Sequence, residues 1–342
     1  MLKGGKMGRE KRVSSIDVAR EAGVSQATVS YVLNNVKGVK IKKETREAVI
    51  AAAKKLNYHP NLIARSMRLK KSMSIGIVSD KNVSNFMFMK TLEGIKDALL
   101  PRNYSIMMCF DKSHEIEDSE YIKYYSSNRI DGIIFAYANI TDEQCAFLVE
   151  NNIPFVIIHN NIKIDTNNIV RTDMVNAIIE GVKHFQSKGI DRIAYFGGGI
   201  GNLNDRRYNG YITAMERCGI PVEDNILLNT AGAEDDIEKC FESYFKGNKN
   251  IPGAAFCETT GIGFRFLRYA AKNGIKIPED IAIIAIGVSK FSSMSYPSLS
   301  TIESPVYDMG YTGCEMLFDI MDGKVSNNVV VLEWKFTPRG SS

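Results

Sequence analysis

The side chains with the clearest chemical use stand at helical spacing near the amino terminus, where residues 14–35 read SSIDVAREAGVSQATVSYVLNN. Gln26, Thr28, Ser30, Tyr31 and Asn34 make a polar face of amide and hydroxyl groups. Groups that both donate and accept suit base edges and phosphate oxygens in the major groove of duplex DNA. Such a face needs something to hold it outward. The apolar sets Val18, Ala19, Ala22 and Val29, Val32, Leu33 supply that, as inner faces of two short helices broken at Gly23-Val24-Ser25. Gly23 can take the positive φ that ends the first helix, and Ser25 can cap the second. Crossed at that turn, the two helices form a helix-turn-helix whose second member is free to enter a groove.

The charge distribution points the same way. Residues 1–72 carry 17 Lys/Arg against 5 Asp/Glu, and the rest of the 342-residue chain carries 26 against 34. The net charge of +4 therefore hides a basic module on an acidic body, which predicts a polyanion partner for the first part alone. The six cysteines (109, 145, 218, 240, 257, 314) form no C-x-x-C pair, and no histidines cluster. Reduced thiols and no metal site are expected. Neither a G-x-S-x-G elbow nor a Walker loop occurs, so the sequence predicts no enzyme and no cofactor. No apolar run reaches the roughly 18 residues of a membrane span, and no signal-peptide core is visible at the start, so a cytoplasmic protein without a membrane partner is expected.

The order of elements predicts an all-α headpiece followed by an α/β core. Residues 1–12 are expected to be a disordered basic tail and 13–59 the headpiece. Lys43–Leu56 would be its third helix, packing through Val49, Ile50, Ala53 and Leu56. Residues 60–72 would be a hinge helix and linker, too short to be stable except against DNA or a partner. From Met73 onward short apolar runs alternate with helical stretches. The runs are Ser74–Val78, Tyr104–Phe110, Gly132–Tyr137, Pro154–His159, Arg192–Gly197, Gly253–Cys257 and Ile281–Gly287. This alternation predicts parallel sheets with helices on both faces. Its length suggests two lobes, approximately 73–160 with 290–325 and 161–289 with 326–342. Ser300–Pro305 and Val329–Phe336 would cross between them. A ligand would then bind in the cleft at the carboxyl ends of the strands.

These motifs together resemble the lactose-repressor (LacI/GalR) family of bacterial transcription regulators. The resemblance runs from DVAREAGVSQATVSYVLNN through LNYHPNLIARSMR, RIDGIIF, RRYNGY and NGIKIPEDIAIIAIG to the terminal RGSS. It implies a two-lobed core like periplasmic sugar-binding proteins, and a homodimer (or a dimer of dimers) on a pseudo-palindromic operator. In that pattern Gln26, Ala27 and Tyr31 read bases, with Tyr31 replacing a common arginine. Thr28, Ser30 and Asn34 serve phosphates. Met67 matches the family's minor-groove leucine wedge, with Asn61, Ala64 and Arg65 lining the same groove. Lys42 stands where a helix-capping serine is common, which implies a weaker start to the third helix. The implied function is a sequence-specific repressor controlled through its core. The competing reading is a small-molecule receptor of the same fold that does not bind an operator.

The core departs from the family's sugar site. Arg207 in RRYNG matches the family's arginine, but the usual Asn-Asp pair falls at Cys257-Glu258 and the last aspartate at Gly287. Phe86 replaces a proline after Asn85, and His159 stands where aspartate is common. Three readings follow. An anionic or aromatic effector could use Asn85, Phe86, Phe88, His159, Arg207 and Glu258. A sugar or sugar phosphate could bind through rearranged contacts. The cleft could instead be unused, with a regulatory protein acting on the core surface. The glycines of 197–201 read as a strand-to-helix turn that is open to an anion.

Overall fold

The computed structural model describes residues 13–33, 38–58, 71–110, 116, 119–138, 140–158, 168–202, 204–231, 236–247, 251–324 and 328–342. The chain divides into two compact units, 1–72 and 73–342. The tail 1–12, Asn34, the hinge residues Asn61, Ala64, Arg65 and Met67, and His159 lie outside the described residues.

The first unit holds α1 (Ser15–Ala22), α2 (Gln26–Leu33) and α3 (Lys43–Lys55). A reciprocal cap starts α1: the Ser14 hydroxyl accepts from the Asp17 N–H and the Asp17 carboxylate accepts from the Ser14 N–H at 3.0 Å. Gly23, at φ 64°, ends the helix in the left-handed region that only glycine enters cheaply. The Ser25 hydroxyl then accepts from the Thr28 N–H at 3.1 Å and starts α2. Lys42 gives α3 no side-chain cap, as the missing serine implies. The core is small: Val18, Ala19, Val29, Val32, Val49, Ala52 and Ala53. Ile50, expected in it, is 51% exposed. The buried stripe of α3 runs through Val49, Ala52 and Ala53, and the 100° step from Val49 carries Ile50 off it.

The second unit holds two six-stranded sheets. The first has the order β11-β5-β4-β3-β1-β2 and is parallel throughout. Its strands are β1 (Ser74–Val78), β2 (Ser105–Cys109), β3 (Gly132–Ala136), β4 (Phe155–Ile158), β5 (Asn168–Asp173) and β11 (Asn328–Glu333). The second has the order β12-β10-β9-β8-β6-β7, with only the edge pair β12/β10 antiparallel. Its strands are β6 (Ile193–Gly197), β7 (Leu227–Asn229), β8 (Ala254–Cys257), β9 (Ala282–Ile286), β10 (Ser300–Glu303) and β12 (Lys335–Thr337).

Period-2 alternation puts apolar side chains on both faces of each sheet, so each needs helices on two sides. On the first sheet, α4 (Phe86–Leu99) and α11 (Val306–Met321) cover Ile75 and Ile77. Its other face, with Ile133 and Phe135, packs on α5 (Glu120–Ser126) and α6 (Asp142–Glu150). On the second sheet, α7 (Val175–Gln186) and α8 (Arg206–Arg217) cover Ile193 and Tyr195, while α9 (Ile237–Gly247) and α10 (Thr260–Asn273) cover Ala194 and Phe196. Helices α4 and α11 cross almost backbone to backbone. A Cβ on Gly310 would lie 2.0 Å from the Thr91 carbonyl oxygen, and one on Gly94 2.1 Å from that of Tyr307.

The lobe boundaries differ from those expected in three places. β5 belongs to the first sheet, because Ile169 and Val170 register against Ile157 and Ile158 of β4. β10 belongs to the second sheet and β11 to the first. The chain therefore crosses between lobes after Asp173, after Glu303 and after Glu333. Trp334 is the single residue between β11 and β12. It ties two crossings together, its indole N–H donating to Thr172 Oγ1 at 2.7 Å and its backbone N–H to the Asp173 carbonyl at 2.9 Å.

Candidate functional site

Two groups of side chains stand apart from the packing. The first is on α2. Val29 and Val32 anchor its inner face, which leaves Gln26, Ala27 and Tyr31 on the exposed one, with Tyr31 38% accessible. Ser25 is exposed, and Thr28 and Ser30 are half-buried beside it. The Ser25 and Thr28 hydroxyls lie 2.9 Å apart, so both are partly engaged in the start of the helix. The Gln26 amide donates to Ser15 Oγ at 2.9 Å. That bond fixes the side chain while leaving one amide hydrogen and the carbonyl oxygen to meet an adenine edge. Ser15 is a positioning residue that the sequence reading missed. An ordinary serine in the first turn of α1 carries no signal for a contact eleven residues away.

The second group lines a cavity of about 310 Å³ between the two lobes of the core unit, beyond the carboxyl ends of the strands. The strand-to-helix turn after β6 supplies its floor. The Asp205 carboxylate ends that turn by accepting from the Arg207 and Tyr208 N–H groups at 3.0 and 2.9 Å, which starts α8 and aims its first side chains at the cavity. Arg207 lines the cavity with its guanidinium 3.7 Å from the Glu258 carboxylate. Glu258 follows β8, is 16% exposed, and also accepts from the Gly198 N–H. It stands behind Arg207 and braces it.

The turn itself is full. A Cβ on Gly197 would lie 2.5 Å from Glu258 Cβ, and one on Gly199, at φ 68°, would lie 2.6 Å from Asp205 Cγ. Two of the protein's own carboxylates hold the place where the sequence reading allowed an anion. That expectation is corrected.

The remaining expected ligand residues separate. Asn85 lines the cavity, its oxygen accepting from the Phe88 N–H at 3.0 Å to start α4. Phe86 faces a different groove, on the outer side of α4, with Met89 and Ile106. Phe88 is fully buried in the core of the first lobe and has no surface to offer a ligand. Phe88 lies in the first turn of α4 and faces inward on the buried stripe with Thr91 and Ile95.

Several cavity residues carried no signal in the sequence. Tyr137 adopts φ 59° just after β3, a costly conformation for an aromatic residue, and sends its hydroxyl to Thr91 Oγ1 at 3.1 Å. Met174 and Trp334 reach the cavity from the lobe crossings. Arg206 lies beside Arg207 in the same motif. Its Nη2 donates to the Thr172 carbonyl at 3.0 Å, and burial lowers its pKa from the ordinary value although Asp173 opposes that shift.

Residues 16–61 match the family described as bacterial regulatory proteins, lacI family, and residues 182–342 match a periplasmic binding protein-like domain. The HTH-type transcriptional regulator RegA of Clostridium saccharobutylicum is 29% identical over 331 residues, covering 95% of this chain and 98% of that one. Catabolite control protein A of Staphylococcus aureus is 31% identical over 333 residues, covering 96% and 99%. In fold, the chain superposes on the lac repressor dimer bound to operator and the anti-inducer ONPF with a TM-score of 0.73, at 22% identity over 97% of this chain and 99% of that one. A regulator in complex with cellobiose, CelR, gives 0.64 at 22% identity, with 97% and 100% covered. Among the described residues no helix is long and apolar enough to cross a membrane.

Proposed function

The chain belongs to the LacI family of bacterial regulatory proteins, and from that premise we infer that it is a repressor, binding a pseudo-palindromic operator as a homodimer in the cytoplasm. That it is a DNA-binding transcription regulator is given by the family. The observation that carries the finer reading is the exposed face of α2, where Gln26, Ala27 and Tyr31 stand clear of a core made by the opposite face. Gln26 suits an adenine and Ala27 a thymine methyl, while the surrounding cations hold phosphates. Two headpieces, spaced by a dimer of the core, would read two half-sites, and residues 60–72 would insert Met67 between them.

A small molecule in the lobe cleft would bias one arrangement of the lobes over another and so change the spacing of the headpieces. It must prefer one arrangement to do so. The operator and anti-inducer bound by the lac repressor, and the cellobiose bound by CelR, support this division of labour. On this reading the cleft binds its ligand without transforming it. A receptor of the same fold that ignores DNA would leave the α2 face and the 17 cations of residues 1–72 without a task.

The test is the salt dependence of binding by the full chain to a duplex selected from genomic fragments. Six or more phosphate contacts predict a log–log slope of about −5 or steeper, at roughly −0.9 per contact. A flat slope, or no enriched fragment, contradicts the proposal.

A further inference from the structure

The charges on the cleft wall do not balance. Among the described residues, three cations line the cavity (Lys81, Arg206 and Arg207) against one carboxylate, Asp205. Asp205 is committed to the start of α8. Glu258 accounts for part of Arg207 only, at 3.7 Å and with a backbone N–H to serve as well. Among the described residues Arg206 forms no ion pair, and its one hydrogen bond runs through Nη2 to the Thr172 carbonyl, with none at Nε or Nη1. A half-buried guanidinium in that condition has lost part of its hydration and gained one neutral acceptor in return. Burial accordingly outweighs the nearby carboxylates and pulls its pKa down.

The rest of the wall pairs the polar side chains of Asn85, Tyr137, Asn204 and Ser304 with an adaptable apolar part. Met87, Met174 and Met309 come from three separate segments, and Trp334 spends its only side-chain donor on Thr172. Carboxylates are the strongest acceptors for the hydroxyls of a neutral sugar. Here Asp205 is the only one on the described wall, and the positions of two others are the buried Cys257 and Gly287.

Resting on the reading of the cleft as the effector site, we propose that it takes a small organic oxyanion with an apolar body, a carboxylate or a phosphate monoester. The oxyanion lies against Arg206 and Arg207, and the body lies among Met87, Met174, Met309 and Trp334. A planar carboxylate or a phosphate face matches the guanidinium fork in a way that a hydroxyl does not. The volume of about 310 Å³ suits a ligand of about a dozen non-hydrogen atoms.

The experiment is calorimetric titration and thermal shift of the full chain with benzoate, phenylacetate and phenyl phosphate, beside benzamide, benzyl alcohol, glucose and ribose. Binding of at least one acid, with its neutral counterpart at least about tenfold weaker, is expected. Arg206→Met should remove that preference while the unliganded melting temperature holds, and Arg206→Lys should restore part of it. A response to benzoate alone or to phenyl phosphate alone tells which oxyanion the fork accepts. Equal binding of benzoate and benzamide, or sugar binding that Arg207→Ala abolishes and Arg206→Met leaves intact, overturns the oxyanion and keeps the cleft as effector site. No binding by any of the seven probes overturns both.

Discussion

In the amino-terminal unit, the described side chains that would meet the major groove stand within seven consecutive residues, 25–31, at the start and along one helix of a fold seated on seven buried side chains. In the cleft, the side chains that would meet a ligand come from Lys81 through Trp334, from both lobes and from the crossings between them. A local site of this kind depends on a small core and fails with it. A convergent one depends on the whole 270-residue unit, but each wall can be altered separately. The two sites can therefore be damaged independently, and this independence is what experiments can break.

The largest effect is expected at the α4/α11 crossing. Gly310→Val places new atoms on the Thr91 carbonyl, which is backbone and cannot step aside, and should cost about 4 kcal/mol or more of core stability. Calorimetry should show the core transition falling, while hydrogen exchange at Val29 and Val49 stays protected. Joint loss of protection would mean that the units are not independent.

Val29→Asp makes the converse test. Val29 is 1% exposed, and an unpaired carboxylate there should cost about 3 kcal/mol or more, enough to unfold three short helices. Operator binding should vanish, with the core melting transition unmoved.

Asp205→Ala removes two hydrogen bonds at the start of α8 and should cost about 1–2 kcal/mol of core stability, seen as a lowered melting temperature. Asp205→Asn should keep most of it. Operator affinity without a ligand should be unchanged in both.

The smallest effect is placed at Met67. Met67→Ala should weaken specific DNA binding several-fold, about 1 kcal/mol, and leave the melting of both units as it was. Unchanged operator affinity would remove the wedge from the account.

The same contrast explains what could be read from the sequence. The helix-turn-helix is legible because its apolar spacing, its glycine and its capping serine all fall within the sixteen residues 18–33, and the structure reproduces each of them. Seven strand runs are legible as short apolar runs between helical stretches. β5 was not, because Arg171 and Asp173 interrupt its apolar pattern, and β7 is only three residues long. The lobe boundaries failed for a different reason: which sheet a strand joins is decided by long-range register, such as Ile158 against Val170, and not by composition. In the cleft, Asn85 and Arg207 line the cavity, whereas Phe88 is in the core. Which side of a helix's first turn faces the core is set by packing that spacing alone does not reveal. Arg206 carries no such signal in the sequence, because its place on the cavity wall and its bond to the Thr172 carbonyl are set by contacts across the chain.

The central claim is that the exposed face of α2 chooses the DNA sequence. The most direct measurement is selection from a random duplex library by the full chain and by the double variant Gln26→Ala/Tyr31→Ala. The account predicts that the parent enriches an inverted repeat, and that the variant loses discrimination at the matching symmetric base pairs while its salt-dependent affinity persists. Enrichment of the same repeat by both proteins, or of none by the parent, would contradict it.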